Sequence, residues 1–111
     1  MSAGIKTVIY PVSDIARAKA AFSTVLGAEP VMDQPYYVQF NVGDQSIGLD
    51  PHGHKSGAVA YFHISDIKTT LQALVEAGGE VDQDVKDVGG GRLIAAVKDA
   101  DGNLIGLLQD A

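Results

Sequence analysis

The apolar positions of this chain switch between a helical and a strand-like spacing, and the switch occurs twice. Two stripes at a spacing near 3.6 residues predict two amphipathic helices. The stripes consist of Ile15, Ala18, Phe22, Val25 and Leu26 in the first helix and of Ile67, Leu71, Leu74 and Val75 in the second. A strand-like apolar run precedes each stripe, and several strand-like runs follow it. The pattern therefore predicts two copies of one strand-helix-strands module.

A shift of 52 residues superimposes the two copies and aligns both ends of the predicted helices. Asp14 then lies over Asp66, and Gly27 lies over Gly79. An aspartate before a helix can accept hydrogen bonds from the first free backbone N–H groups, so both aspartates are predicted N-caps. The glycines predict the helix ends, the second at Gly78-Gly79, because a residue without Cβ readily takes the left-handed conformation of a C-cap.

Turn residues divide the segment after each helix into three predicted strands. The strands cover 28–32, 36–42 and 46–50 in the first copy and 80–88, 92–98 and 103–109 in the second. The segment Asp33-Gln34-Pro35 is read as the first turn. The last strands agree as well, since Gly48 lies over Gly106 at a shift of 58. Each module therefore reads βαβββ.

These elements predict an α+β fold of one domain, residues 1–111. Module 1 covers 4–50, a linker covers 51–57, and module 2 covers 58–111. Each module's helix covers one face of its strands, so the remaining faces are predicted to form a curved mixed sheet, a cup with one helix per module on its outer face. Strand alternation turns Tyr37, Gln39, Asn41, Arg92, Ile94 and Ala96 into the cup.

Composition narrows the classes of function. The 111 residues are 46% hydrophobic and include no cysteine, which excludes disulfides, zinc-thiolate sites and a cysteine nucleophile. The formal net charge of −6 disfavours nucleic acid as a partner. No apolar stretch approaches a membrane span, and no signal-peptide core is apparent, so a cytoplasmic protein without a membrane partner is expected.

Two motifs, in this order, resemble those of the vicinal oxygen chelate superfamily of glyoxalases, bleomycin-resistance proteins and extradiol dioxygenases. The first is Val12-Ser13-Asp14-Ile15, before a helix that ends in Val25-Leu26-Gly27. The second is the closing run Asp99-Ala100-Asp101-Gly102-Asn103-Leu104-Ile105. The resemblance covers almost the whole chain and implies the paired βαβββ fold and a homodimer. Exposed sheet edges also favour pairing between chains.

The resemblance also implies positions for a divalent metal, held by His or Glu from the first and last strands of each module. Those positions are Thr7, Gly48, Val59 and Gly106 in this sequence. None of the four is a good ligand, since metals need imidazole, carboxylate or comparable donors. No cofactor is therefore expected. The two glycines are instead expected to leave room for the body of a ligand, as in the metal-free members that sequester small molecules.

The favoured hypothesis is metal-independent binding or sequestration of a small organic molecule, and the sequence leaves open whether a reaction is catalysed. In the cup, the Arg92 guanidinium could clamp an oxyanion, and His63 could act as a hydrogen-bond donor or general base at the rim. Both residues have an ordinary alternative as solvent-exposed side chains. The predicted pocket consists of Thr7, Tyr37, Gln39, Asn41, Gly48, Val59, Tyr61, His63, Arg92 and Gly106.

Two alternatives remain open. A lyase, isomerase or dioxygenase of the same superfamily could hold a divalent metal with the non-standard donors Asp50, His52 and His54. Solvated linker histidines explain the same residues more simply. A structural or regulatory dimer module without any ligand is the third possibility.

Overall fold

A computed structural model describes residues 2–52 and 57–111 and confirms the α+β class and the doubled βαβββ order. The chain divides into two compact units. The first unit covers Lys6–Val59, and the second unit covers Ala60–Ala111 together with the residues before Lys6. The elements are β1 (Ser2–Pro11), α1 (Ile15–Leu26), β2 (Met32–Gln34), β3 (Tyr37–Val42), β4 (Gln45–Asp50), β5 (Val59–Ile64), α2 (Ile67–Glu76), β6 (Glu80–Asp87), β7 (Leu93–Lys98) and β8 (Leu104–Gln109).

Both units arrange their strands in the same way. The first has the order β2-β3-β4-β1, in which β1 runs parallel to β4 and the other neighbours are antiparallel. The second has the equivalent order β6-β7-β8-β5, in which β5 runs parallel to β8. The strands of each unit therefore form a mixed arrangement, and a helix and two strands connect the two strands that run parallel.

The helix termini follow the predicted capping. The Asp14 Oδ1 atom accepts a hydrogen bond of 3.0 Å from the Arg17 N–H, and Asp66 Oδ1 accepts one of 3.2 Å from Thr69 N–H. Helix α1 ends at Gly27, whose φ of 62° is left-handed, as predicted. Helix α2 ends slightly earlier than predicted, with Ala77 as its C-cap, because the left-handed position is Gly78 with φ 102°.

Each helix packs on one face of its own sheet. Val38, Phe40 and Leu49 form the buried core beneath α1. The second core consists of Ile64, Ile67, Leu71, Ala95, Val97 and Leu107. These sets agree with the predicted strand alternation and with most of the two helical stripes.

The helix prediction was wrong at the last turn of each stripe. Val25 is 81% exposed and Val75 is 43% exposed. Because an α-helix has 3.6 residues per turn, both valines lie away from the centre of their stripe, which instead follows Phe22, Leu26 and Leu74.

Strand β2 begins later than predicted. The sequence predicted a strand over 28–32 and a turn at Asp33-Gln34-Pro35, whereas Asp33 and Gln34 belong to β2 and pair with Val38 and Tyr37. Pro30 explains the difference, since it has no N–H to donate to a neighbouring strand. The pairing with β3 starts only where Val31 N–H donates to the Gln39 carbonyl oxygen at 2.8 Å.

The closing of the two modules into a cup and the module boundaries stay predictions. In the described part of the chain, no helix is both long and apolar enough to cross a bilayer.

Candidate functional site

The face of each sheet that points away from its own helix, here the helix-distal face, carries most of the predicted pocket residues. In the first unit, β-sheet register places Thr7 beside Ser46 and Gln39 beside Gly48. Asn41 Oδ1 accepts hydrogen bonds from Gln39 Nε2 at 2.9 Å and from Ser46 Oγ at 3.2 Å. These contacts confirm that the polar side chains share one face, and they tie the amide groups into a row.

The ten predicted pocket residues fall into two sets, one in each unit. Thr7, Tyr37, Gln39, Asn41, Gly48 and Val59 belong to the first unit, and Tyr61, His63, Arg92 and Gly106 belong to the second. Thr7 and Val59 are buried, at 3% and 4% exposure. Register and contacts bring together the first-unit residues on β1, β3 and β4, and likewise the four residues of the second unit.

Tyr37 fills the space above Gly48. A Cβ atom built on Gly48 would lie only 2.7 Å from the ring carbon Cζ of Tyr37 and would meet the tyrosine hydroxyl as well. Tyr37 lies two residues before Gln39, the register partner of Gly48, so its ring reaches diagonally across the strand pair.

Tyr61 fills the equivalent space in the second unit. A Cβ atom on Gly106 would lie 2.8 Å from Tyr61 Cδ1 and 2.6 Å from the Ala60 carbonyl oxygen. Tyr61 is the direct register partner of Gly106 on β5, and it is 8% exposed. The expectation that the two glycines leave open room for a ligand was therefore wrong, since a tyrosine of the same unit occupies each space.

The four positions that correspond to the family's metal ligands do not fit a metal. Gly48 and Gly106 have no donor side chain, and the aliphatic side chain of Val59 has none either. The Thr7 hydroxyl is a weak ligand compared with imidazole or carboxylate, and it would need at least two further donors.

The alternative metal donors are also poorly arranged as far as the structure describes them. The Asp50 carboxylate accepts a 2.8 Å hydrogen bond from the His52 backbone N–H, in a local turn contact. His54, the third predicted donor, lies outside the described residues. Within 2–52 and 57–111, no three His, Cys, Asp or Glu side chains gather as a metal site would require.

The closing Asp99–Ile105 motif builds the hairpin that carries Gly106. Asp99 Oδ1 accepts hydrogen bonds from Asp101 N–H at 2.9 Å and Asn103 N–H at 2.8 Å, and Oδ2 accepts one of 3.0 Å from Asn103 Nδ2. The bonds from Asn103, its side chain first, lower the pKa of Asp99 below the ordinary value of 3.8. The motif therefore has a structural role, which is to fix the register of β7 and β8.

Arg92 and His63 meet a carboxylate that the sequence analysis missed. Arg92 Nε and Nη2 donate to Asp110 Oδ1 at 3.0 and 2.8 Å, and His63 Nδ1 lies 3.5 Å from Asp110 Oδ2. Arg92 lies just before β7 and does not belong to it. The hairpin register could have revealed this contact, since β7 pairs Leu93 with Gln109 and so sets Arg92 opposite Asp110.

The match to a family model defines the class of protein. Residues 4–107 match the model of the Glyoxalase/Bleomycin resistance protein/Dioxygenase superfamily, and the chain belongs to that family. No curated protein matches the chain.

Solved structures share the fold over nearly the whole chain. A superfamily member from Vibrio splendidus 12B01 has 19% identity and a TM-score of 0.71, with 99% of this chain and 100% of that chain covered. Methylmalonyl-CoA epimerase from Mycobacterium tuberculosis has 19% identity and a TM-score of 0.73, covering 99% and 89%. The Streptomyces coelicolor epimerase in complex with 2-nitronate-propionyl-CoA has 16% identity and a TM-score of 0.72, covering 100% and 99%.

Proposed function

We propose that this protein binds or sequesters a small organic molecule without a metal. One observation carries the proposal. At the family's ligand positions in the last strands, each module has a glycine in place of a metal ligand, and a tyrosine ring covers that glycine. A metal ligand is thereby replaced by an aromatic surface with a polar end, which suits a planar organic molecule better than an ion. The related epimerase complex holds an organic ligand on the same fold.

The first unit supplies the chemistry for this binding. Tyr37 is partly exposed, and the amide groups of Gln39 and Asn41 lie beside it on the same face. An aromatic ring next to amide donors and acceptors can stack on a ligand and orient its polar groups. The Tyr37 ring reaches Gly48 with its hydroxyl end, so a rotation of this flexible side chain would open the space above the glycine.

Ligand screening by thermal shift tests the proposal, with planar compounds as probes. A ligand present at 100 times its Kd stabilises the folded state by about 2.7 kcal/mol, which raises the melting temperature of a domain of this size by roughly 10 °C. The Tyr37→Ala variant is expected to lose most of this shift. Tyr36→Ala is the matched control, because Tyr36 is the adjacent tyrosine, 57% exposed on the turn.

Elemental analysis of untagged protein, followed by titration with zinc, nickel, manganese and iron, completes the test. We expect no stoichiometric ion. One tightly bound ion per chain would overturn the metal-independent mechanism and favour the lyase, isomerase or dioxygenase alternative. Equal ligand-induced shifts in Tyr37→Ala and wild-type protein would overturn the assigned surface.

We also propose a homodimer in the cytoplasm. The outer strands β2 and β6 of the two units carry exposed apolar side chains, Met32 at 38% and Val81 at 42%. Such edges favour pairing with a second chain. Light scattering after size exclusion is expected to give twice the chain mass of 11.6 kDa, and a monomer over the micromolar range would refute the dimer.

A further inference from the structure

A cluster of His63, Arg92 and Asp110 lies on the helix-distal face of the second unit. The Gln109 side chain accepts a hydrogen bond of 2.8 Å from Ile67 N–H at the start of α2, so Gln109 points towards the helix. His63 lies on β5 two residues after Tyr61, so it points to the face that Tyr61 and Gly106 share, and Asp110 contacts His63 there. The cluster therefore shares a face with Tyr61.

A turn of three glycines precedes Arg92 and strand β7. Gly89, Gly90 and Gly91 have φ values of 115°, 64° and 82°, a sequence of left-handed conformations that side chains strongly disfavour. Val88 N–H donates to the Arg92 carbonyl oxygen at 2.9 Å, and Arg92 N–H donates to that of Gly89 at 3.2 Å. The three glycines thus form a hydrogen-bonded turn that fixes the backbone from which the Arg92 side chain extends.

Asp110 does not accept the two parallel hydrogen bonds that a guanidinium can donate to a carboxylate. Two N–H groups of Arg92 converge on a single oxygen, Asp110 Oδ1, while Oδ2 is directed towards His63. A guanidinium binds a carboxylate more strongly through two parallel hydrogen bonds to its two oxygens. The Asp110 side chain is 57% exposed, and rotation about its own bonds can remove it from the site.

We propose that Arg92 and His63 form a binding site for the carboxylate of a small organic ligand and that Asp110 occupies this site when the ligand is absent. The proposal rests on the proposed small-molecule binding and names the chemical class of the ligand. An incoming carboxylate replaces one carboxylate by another, so the charge on Arg92 stays compensated throughout. The side chains of Arg92 and His63 are 38% and 18% exposed, accessible to a ligand yet partly desolvated, which strengthens the contact.

Asp110 also makes the proposed anion site selective in a protein whose net charge is −6. The long-range field repels anions, and the internal carboxylate keeps Arg92 compensated until a ligand with further contacts competes for it. Weak inorganic anions are then poor competitors. A planar carboxylate that also contacts the aromatic side chain on this face is a better one.

The decisive experiment removes the internal competitor. In Asp110→Asn, binding of sodium benzoate, followed by NMR at the Arg92 Nε–Hε and His63 ring resonances, is expected to tighten about two- to fivefold, the range for an exposed charge pair. Asp44→Asn is the matched control, because it removes the same charge from the other unit, where Asp44 lies 3.7 Å from the Lys6 ammonium. It is expected to change benzoate binding little.

Arg92→Gln in the Asp110→Asn background is expected to abolish benzoate binding. If that variant does not fold, Arg92→Lys keeps the charge without the fork and is expected to weaken binding. Unchanged affinity in Asp110→Asn, an equal gain in Asp44→Asn, or benzoate binding that leaves the Arg92 resonance in place would each overturn the site. Running the Tyr37→Ala thermal-shift series with neutral planar compounds, which carry no carboxylate for Arg92, tests the general binding function separately.

Discussion

The same substitution at two equivalent glycines is expected to have different consequences, because different atoms occupy the space above them. In Gly106→Ala the new methyl would lie 2.6 Å from the Ala60 carbonyl oxygen and 2.8 Å from Tyr61 Cδ1. Ala60 lies on β5, which is paired with β8, so backbone has to move. In Gly48→Ala the obstructing atoms, including Cζ at 2.7 Å, are at the far end of the Tyr37 side chain.

The expected magnitudes follow from these contacts. Overpacking against fixed atoms costs about 1–3 kcal/mol, and Gly106→Ala is expected to incur this cost in the folded state. Neither glycine has a positive φ, so both variants gain about 0.4–1 kcal/mol from the stiffer unfolded chain. In Gly48→Ala this gain offsets the displacement of Tyr37, and the net change is expected to stay within about 1 kcal/mol.

Urea unfolding followed by circular dichroism measures the difference. With m values of about 1–3 kcal/mol/M, a 2 kcal/mol difference between the variants separates their midpoints by about 1 M. NMR of the Tyr37 ring is a second readout, because the ring should leave Gly48 only in Gly48→Ala. Equal destabilisation of the two variants, or a Tyr37 ring that stays in place in Gly48→Ala, would refute the reasoning.

Two further predictions concern stability. Thr69, through its backbone N–H first, lowers the pKa of Asp66 below 3.8, so this carboxylate's contribution is present above pH 3.8 and is lost as pH falls through the lowered pKa. Asp66→Asn keeps an N-cap and should therefore show a weaker loss of stability between about pH 4 and pH 2 in thermal melts. Leu49→Ala, at a position with 0% exposure, should cost about 2–5 kcal/mol in urea unfolding, whereas Val31→Ala, at an exposed position, should cost no more than about 0.5 kcal/mol.

The parts of the fold that depend on local sequence could be predicted. Asp14 and Asp66 cap their helices because an N-cap is a contact with a residue three positions later. The doubled module follows from the repeat. The bounds of β2 could not be predicted from apolar spacing, because the proline at 30 delays the pairing and the strand exists only through its bonds to β3.

The candidate site was predictable to a lesser extent. Strand alternation assigned Tyr37 and Tyr61 to the helix-distal face, since it needs only the position within a strand. Strand alternation does not predict whether a ring covers a glycine, because that depends on the register between strands. For Tyr37 it also depends on a diagonal contact with Gly48. The contact between Asp110 and Arg92 could have been predicted. The tight turn at Asp99 sets the register of β7 and β8, and that register places Arg92 opposite Asp110.

The two modules cover their glycines with tyrosines from different strands, and this difference gives the two glycine positions unequal surroundings. Ile9 pairs with Gly48 at the place where Tyr61 pairs with Gly106. Ile94 precedes the other partner of Gly106 by two residues, as Tyr37 does for Gly48. Each glycine therefore has one tyrosine and one isoleucine around it, in exchanged positions. Tyr37 approaches Gly48 with the hydroxyl end of its side chain, whereas the Tyr61 ring lies against Gly106 close to its own backbone. The two modules would therefore present different surfaces to the proposed ligand: the first the hydroxyl end of Tyr37 beside two amide groups, the second the Tyr61 ring beside His63, Arg92 and Asp110.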